Sequence, residues 1–282
     1  MRTPKKVGLH SKFPAAWWSW RMLAVLTCVI IVRGLPLVSI GWAAAVTPDP
    51  GPQSADVDVQ TVHYPSGNSS IEAFVAKPKG AGKHPAVLVV HDNLGLDDTM
   101  KDVTRRLAEA GFVAFTPNLL SRSSEAMNAR AVAVAVANLS PDQTVDDLKA
   151  GFTFLQKDSD VDASKISSVG FGWGGWRTFE IAAELPSLYR GVIFYGATPT
   201  DNDHLSDMHA SILALYAQLD FQITGNSVWT EQQLGKKFTY YIYPNALHGF
   251  FGGSASFNCS VLPANQEIAQ QAWTKTLEFL RR

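Results

Sequence analysis

A tight, glycine-rich turn joins a buried strand to a helix near the middle of the chain. Residues 168–175 read SVGFGWGG, with an apolar run before the turn and helically spaced apolar residues after it. Glycines at such a turn let a strand and a helix pack closely around a strained central residue. Gly170 and Gly174 fit the outer positions of the pattern G-x-nucleophile-x-G. This pattern predicts an α/β fold, but the central residue is Gly172, which offers no side chain for catalysis.

Two other uses of a glycine-rich turn fit the sequence less well. A P-loop requires Lys followed by Ser or Thr, whereas this turn continues with Trp176 and Arg177. A dinucleotide-binding turn is followed by an acidic residue at the end of the next strand, and none is evident here. We therefore interpret the turn as a nucleophile elbow and expect no cofactor.

From residue 57 onward, apolar runs alternate with amphipathic segments. Alternation of strands and helices predicts a single α/β domain over residues 57–282, with a mostly parallel sheet and helices on both faces. The predicted strands are 57–65, 71–78, 84–92, 112–120, 165–172, 189–196, 211–220 and 237–244. The predicted helices are 98–111, 144–157, 174–185 and 266–281.

The first 45 residues are typical of a signal peptide. Basic residues are followed by an apolar stretch and by the small residues Ala43, Ala44 and Ala45. Residues 46–56 are polar and rich in Pro, which indicates a linker. We expect an exported protein, periplasmic or secreted. The alternative is an uncleaved membrane anchor, in which Arg33 would be an unfavourable charge.

The charge balance and the cysteines exclude several classes of function. Lys and Arg total 24 and Asp and Glu total 25, and this near-neutral balance argues against a nucleic-acid-binding surface. Removal of the leader would leave Cys259 as the one cysteine, so no intramolecular disulfide is expected. No Cys and His residues have the spacing of zinc ligands, and no metal is expected. The sequence leaves open whether the protein is a monomer or a homodimer.

Two residues downstream of the elbow stand where a catalytic acid and base belong. In this kind of fold the order along the chain is nucleophile, acid and His. Asp220 ends the predicted strand 211–220, and His248 lies in the loop after the last strand. An Asp in this place orients the imidazole, and the His acts as general base. Either residue alone has an ordinary interpretation, as a helix cap or an exposed loop residue, but the two in this order indicate an active site.

Several segments of the chain together resemble the dienelactone hydrolase family, which has the α/β-hydrolase fold. The resemblance covers residues 57–282. It includes an elbow in which the family has Cys where this chain has Gly172. The matching segments are VVHDNLGL at 89–96, RRLAEAGF at 105–112, TPNLL at 116–120, GFGWGG at 170–175 and YPNALHGF at 243–250.

The resemblance implies roles for residues outside the Asp–His pair. Asp92 matches an acidic residue that contacts the nucleophile, and Arg122 matches an arginine that binds a substrate carboxylate. The backbone N–H of Trp173, with one from the loop of Asn93 and Leu94, would form the oxyanion hole. Asn93 is also expected to contact the substrate.

Aromatic residues near the site predict an apolar pocket. Phe221 comes directly after Asp220, and Phe250 comes two residues after His248. The sequence leaves open whether these side chains contact the substrate or pack in the core. The family's second carboxylate-binding arginine is replaced by Gly252. The expected partner is a small molecule, with an anionic group if Arg122 contacts it.

Three interpretations of the chemistry stay open at this point. The protein could hydrolyse a small ester or lactone, with His248 and Asp220 activating a water in place of the missing nucleophile. It could instead use Asp92 and His248 for acid/base chemistry, as an isomerase, lyase or cyclase. It could also bind a small molecule without catalysis.

Overall fold

A computed structural model describes residues 57–122, 128–199, 205, 208–252 and 263–282. The predicted leader and linker, residues 1–56, lie outside these ranges, and so does Cys259. Among the helices of the described residues, none is long and apolar enough to cross a bilayer.

The described residues form an eight-stranded sheet with the order β1-β2-β4-β3-β5-β6-β7-β8. Antiparallel pairing joins β1 to β2 and β2 to β4, and all the other pairs are parallel. The strands are β1 (Val57–Ser66), β2 (Ser69–Pro78), β3 (His84–Val90), β4 (Val113–Pro117), β5 (Val161–Phe171), β6 (Arg190–Phe194), β7 (Ser211–Ala217) and β8 (Phe238–Tyr243). All eight lie where the apolar runs predict them.

Seven α-helices and a short 3-10 helix (Gly235–Lys237) lie around the sheet in the described ranges. The α-helices are α1 (Asp98–Glu109), α2 (Ala129–Ala137), α3 (Pro141–Gln156), α4 (Trp173–Glu184), α5 (Phe221–Thr224), α6 (Ser227–Leu234) and α7 (Pro263–Arg281). The sequence predicts α1, α3, α4 and α7 but does not predict α2, α5 or α6. The residues of α2 read ARAVAVAVA and show no clear helical period.

The sheet separates two apolar cores. Alternate residues of β3 face opposite sides, because successive side chains of a strand point to opposite faces. Leu88 and Val90 belong to the core that also contains residues of α3 and α4. Val87 and Val89 belong to the core that contains residues of α1 and α7. Helices therefore cover both faces, which confirms the predicted α/β architecture.

The residues of the predicted site follow the carboxyl ends of four parallel strands. Asp92 comes after β3, Gly172 after β5, Asp220 after β7 and His248 after β8. In open α/β sheets, these ends meet along one edge, where ligands usually bind. The topology therefore brings the four residues to the same edge of the sheet.

Candidate active site

The elbow between β5 and α4 has the close packing that its glycines predict. A Cβ atom on Gly170 would collide with the backbone of Gly174, and one on Gly174 would collide with the carbonyls of Val90 and His91. Gly172 has φ of 50° and ψ of −112°, a conformation that side-chain-bearing residues rarely adopt. The backbone therefore has the strained form of a nucleophile elbow.

The space beside Gly172 is filled by the carboxylate of Asp92. A Cβ atom built on Gly172 would lie 2.8 Å from Cγ and 2.9 Å from Oδ2 of Asp92, and closer still to Oδ1. Asp92 is 3% exposed. The Asp92 side chain thus occupies the space that the side chain of a nucleophile at position 172 would need. A water at the Cβ position itself would collide with this carboxylate.

The two oxygens of Asp92 have different surroundings. Oδ1 accepts hydrogen bonds from the N–H of Asn93 at 2.7 Å and from the N–H of Trp173 at 3.4 Å. Oδ2 is buried and has no hydrogen-bond partner in the described part of the chain. Burial raises the pKa of Asp92 to about 6, although the charge of His248 lowers it in part. The carboxyl can therefore exchange a proton close to neutral pH.

His248 and Asp220 form the predicted pair. Nδ1 of His248 lies 2.5 Å from Oδ2 of Asp220, with the Asp side chain 12% exposed and the His side chain 40% exposed. The imidazole ring also packs 5.1 Å from the ring of Tyr195, which follows β6. With Nδ1 directed at the carboxylate, Nε2 is the ring nitrogen suited to proton exchange with a substrate.

His91 is a part of the site to which the sequence assigned no role. Its Nδ1 donates to the carbonyl of Asp92 at 2.8 Å, and its Nε2 accepts from the N–H of Leu119 at 3.4 Å. Burial lowers the pKa of His91 to about 4, so the ring is neutral at pH 7. The ring also stacks on Trp173, with 5.8 Å between centroids. His91 thus positions Asp92 and Trp173. Its one sequence signal is a polar residue at the end of a buried strand.

Arg122 contacts a different set of residues from the one that the resemblance implies. Its Nε and Nη2 donate to the carboxylate of Asp147 at 3.2 and 2.6 Å. Its Nη1 donates to Ser69 Oγ, and Nη2 also donates to the carbonyl of Ser66 at 3.2 Å. Asp147 lies in α3, so the guanidinium joins that helix to the β1–β2 hairpin. A role for Arg122 in binding substrate stays a prediction.

The remaining predicted residues differ in their accessibility. Asn93 and Leu94 are half-buried in the loop after β3. Phe221 is 75% exposed. Phe250 is fully buried, and its ring packs edge-on against Tyr195 with centroids 5.2 Å apart. Core packing therefore accounts for the position of Phe250, whereas Phe221 faces solvent.

No group of three or more His, Cys, Asp or Glu residues in the described ranges could hold a metal ion.

Comparisons with known proteins agree with the fold. A family model described as "Dienelactone hydrolase family" matches residues 71–282. A protein of Methylorubrum extorquens named "Putative carboxymethylenebutenolidase" is 28% identical over 267 residues, which cover 87% of this chain and 90% of that protein. A protein of the same name from Saccharolobus solfataricus is 28% identical over 259 residues, covering 78% and 97%.

A solved structure shows the same fold. The structure titled "Putative Dienelactone Hydrolase" from Klebsiella pneumoniae is similar to this chain with a TM-score of 0.69 and 26% identity. The match covers 80% of this chain and 99% of that one. This likeness confirms the predicted α/β-hydrolase fold.

Proposed function

Because the chain belongs to the dienelactone hydrolase family, we propose that it hydrolyses an ester or lactone bond of a small molecule without an acyl-enzyme at residue 172. The observation that carries the proposal is the Asp92 carboxylate, which fills the nucleophile's space next to the elbow and interacts electrostatically with His248. Gly172 has no side chain that could be acylated. The attacking group is therefore water.

In this mechanism Asp92 and His248 hold the water between them. The unpartnered Oδ2 of Asp92 accepts one hydrogen bond from the water, and Nε2 of His248 accepts the other and takes that proton as the water oxygen attacks the carbonyl carbon. Asp220 stabilises the resulting imidazolium. When the carbon–oxygen bond breaks, His248 returns the proton to the leaving alkoxide. No atom of the enzyme becomes bonded to the substrate.

The donors to the oxyanion differ from those that the sequence predicts. The Trp173 N–H, the expected donor, points to Oδ1 of Asp92. The N–H of Leu94 stays the proposed donor to the oxyanion, so one donor of the usual pair is occupied. Loss of one such donor lowers kcat by about 10²–10³-fold in other hydrolases, and we expect slow turnover here.

Single substitutions at the site test the proposal. Activity is measured on a panel of p-nitrophenyl esters and small lactones. We expect His248→Ala and Asp92→Asn each to lower kcat by about 10²–10⁴-fold, the usual contribution of general acid–base groups. His63→Ala, at an exposed histidine of β1, and Asp98→Asn, at an exposed carboxylate of α1, are the matched controls.

The absence of a covalent intermediate has its own readout. The wild type should show no burst of p-nitrophenol, and hydroxylamine should trap no acylated protein in the mass spectrum. Lack of turnover on the whole panel would contradict hydrolysis, and a trapped acyl group would contradict direct attack by water.

A second candidate function is supported by the same unpartnered oxygen. A buried carboxylate oxygen without a hydrogen-bond partner could remove a carbon-bound proton, as in an isomerase, lyase or cyclase. That reaction would exchange a substrate proton with deuterium in D₂O, and Asp92→Asn would abolish the exchange. Binding of a ligand with neither hydrolysis nor exchange would indicate a site that binds without catalysis.

We also propose that the protein is exported and that residues 1–45 direct this export. The support is the order of basic, apolar and small residues in the sequence.

A further inference from the structure

The charged side chains near the space that a nucleophile at position 172 would need are mostly negative. Asp92 lies there, and the charged side chains that act on its carboxyl are His248 and Asp97, of which Asp97 raises its pKa. The positive charge that His248 gains during proton transfer is balanced by Asp220, 2.5 Å from its Nδ1. An anionic substrate would therefore meet net repulsion here, because like charges close together in a partly buried site disfavour binding.

The arginine that the resemblance assigns to a substrate carboxylate already has a carboxylate partner. All three nitrogens of the Arg122 guanidinium donate hydrogen bonds, two of them to the buried Asp147. A pair in this geometry has no net charge, and removing Arg122 from it would leave Asp147 buried alone. The structure therefore gives Arg122 a role that does not require a substrate.

Among the described residues, the arginine next to the elbow does not replace it. Residue 252, where the resemblance implies a second arginine, is Gly. Arg177, next to the elbow, pairs with Glu180 at 2.5 Å and lies 5.0 Å from the ring centroid of Trp173. The segments of the domain outside the described ranges contain no Lys or Arg in the sequence; they are 123–127, 200–204, 206–207 and 253–262.

The loops that carry the catalytic carboxylates instead adjoin apolar side chains. Leu219 and Phe221, on either side of Asp220, are 45% and 75% exposed. In the loop after β3, a Cβ on Gly95 would lie 3.4 Å from Cγ1 of Val132, which belongs to the Ala- and Val-rich helix α2. A single exposed Leu means little, but apolar groups beside both catalytic loops favour an apolar ligand.

From these charges and contacts we infer that the substrate is an uncharged ester or lactone with an apolar acyl group, not an anionic lactone. The inference rests on the proposed hydrolysis and specifies its substrate class. The resemblance implied a carboxylate held by Arg122. Here that arginine is neutralised within the fold, while carboxylates and exposed apolar side chains adjoin the site.

A pair of esters with the same acyl length tests the inference directly. The p-nitrophenyl ester of hexanoic acid is neutral, and the mono-p-nitrophenyl ester of adipic acid has a carboxylate at the end of the same six-carbon chain. We expect kcat/KM for the neutral ester to be higher by about 10-fold, the effect of one like charge at close range in a partly buried site. The ratio should decrease as salt screens the repulsion.

Two variants identify the residues responsible. Asp97→Asn keeps the N-cap of α1 and removes one negative charge, so it should raise kcat/KM for the adipate ester about 2- to 3-fold relative to kcat/KM for the hexanoate ester. Phe221→Ser should raise KM for the hexanoate ester but not for the acetate ester. Val59→Ser, at an exposed apolar residue of β1, is the control.

The outcomes separate this inference from the proposed function. Equal or faster hydrolysis of the adipate ester would overturn the inference and leave hydrolysis intact. If the enzyme hydrolyses neither these esters nor any other member of the panel, the proposed function fails and the inference falls with it.

Discussion

Asp92 destabilises the fold at the pH at which it would be active. Its pKa is raised from 3.8 to about 6 because the carboxylate is buried. A carboxyl that binds its proton more tightly in the folded state lowers stability as the pH rises from the unfolded pKa through the folded one. At 1.36 kcal/mol per pKa unit, the loss at pH 7 is about 3 kcal/mol. Such a group is retained for a reason other than stability, which agrees with a catalytic role.

The variant Asp92→Asn should therefore gain stability while it loses activity. The amide oxygen can still accept the N–H groups of Asn93 and Trp173, whereas the buried charge is gone. We expect the Tm of the variant to match that of the wild type near pH 4 and to exceed it by several degrees at pH 8. Thermal unfolding between these pH values measures the difference.

The control for this measurement is Asp98→Asn, because Asp98 is fully exposed in the same part of the chain. A Tm difference between Asp92→Asn and the wild type that is constant with pH would contradict the burial argument. So would a variant that is less stable than the wild type at pH 8.

Among the structural elements, the elbow shows how one residue constrains another. The backbone at Gly172 is strained for any residue with a Cβ, and the carboxylate of Asp92 occupies the space of that Cβ. A nucleophile at position 172 and the observed position of Asp92 are therefore mutually exclusive. Their coupling should appear as non-additive effects in double variants.

Gly172→Cys alone should accordingly restore little nucleophilic activity. Its Cβ would displace the Asp92 carboxylate, so we expect a loss of stability of about 1–3 kcal/mol and little gain in ester hydrolysis. The double variant Gly172→Cys/Asp92→Ser makes space for the thiol, and it should recover stability and form an acyl thioester that mass spectrometry detects. If the single variant were as stable as the wild type and rapidly acylated, the exclusion between the two residues would be wrong.

The contact between α3 and the β1–β2 hairpin provides a second prediction for the elements. Arg122→Met removes the cation and leaves the buried Asp147 carboxylate unpaired, which typically costs about 3–5 kcal/mol. Urea unfolding measures this loss, and Arg130→Met, at an exposed arginine of α2, should have almost no effect. A change of less than about 1 kcal/mol in Arg122→Met would show that the pair does not hold the hairpin to the helix.

The elements differ in how far the sequence predicts them. Buried parallel strands are continuous apolar runs, and β3 and β7 follow that signal, whereas the antiparallel β1 alternates polar and apolar residues and is mostly exposed. Helix α2 consists mostly of Ala and Val, so apolar side chains lie on most of its faces. It therefore has no amphipathic period that would predict a helix from the sequence. The chain order identifies Asp220 and His248. The position of the Asp92 carboxylate beside Gly172 depends on a contact between residues 80 positions apart, which no local sequence pattern encodes.

At the scale of the whole molecule, the site is assembled from the ends of four strands that are distant in the chain. Each of Asp92, Gly172, Asp220 and His248 follows a different parallel strand, so their arrangement depends on the complete sheet. Loop residues can therefore differ between proteins without altering the frame, and Gly172, where the resemblance implies Cys, would be such a difference. The family's fold is kept, and in the proposed mechanism a step that needs a carboxylate replaces the step that needs a nucleophile.

The leader gives the last prediction for the whole molecule. We expect full-length protein produced in a secreting bacterium to be cleaved after Ala45, because small residues at 43 and 45 suit a signal peptidase. Mass spectrometry of the periplasmic fraction reads the new N-terminus. Ala45→Phe should block cleavage and leave the chain in the membrane fraction, whereas Ala44→Phe, between the two recognition positions, should be processed normally. Full-length wild type that is released from membranes only by detergent would instead show that the apolar segment is an anchor.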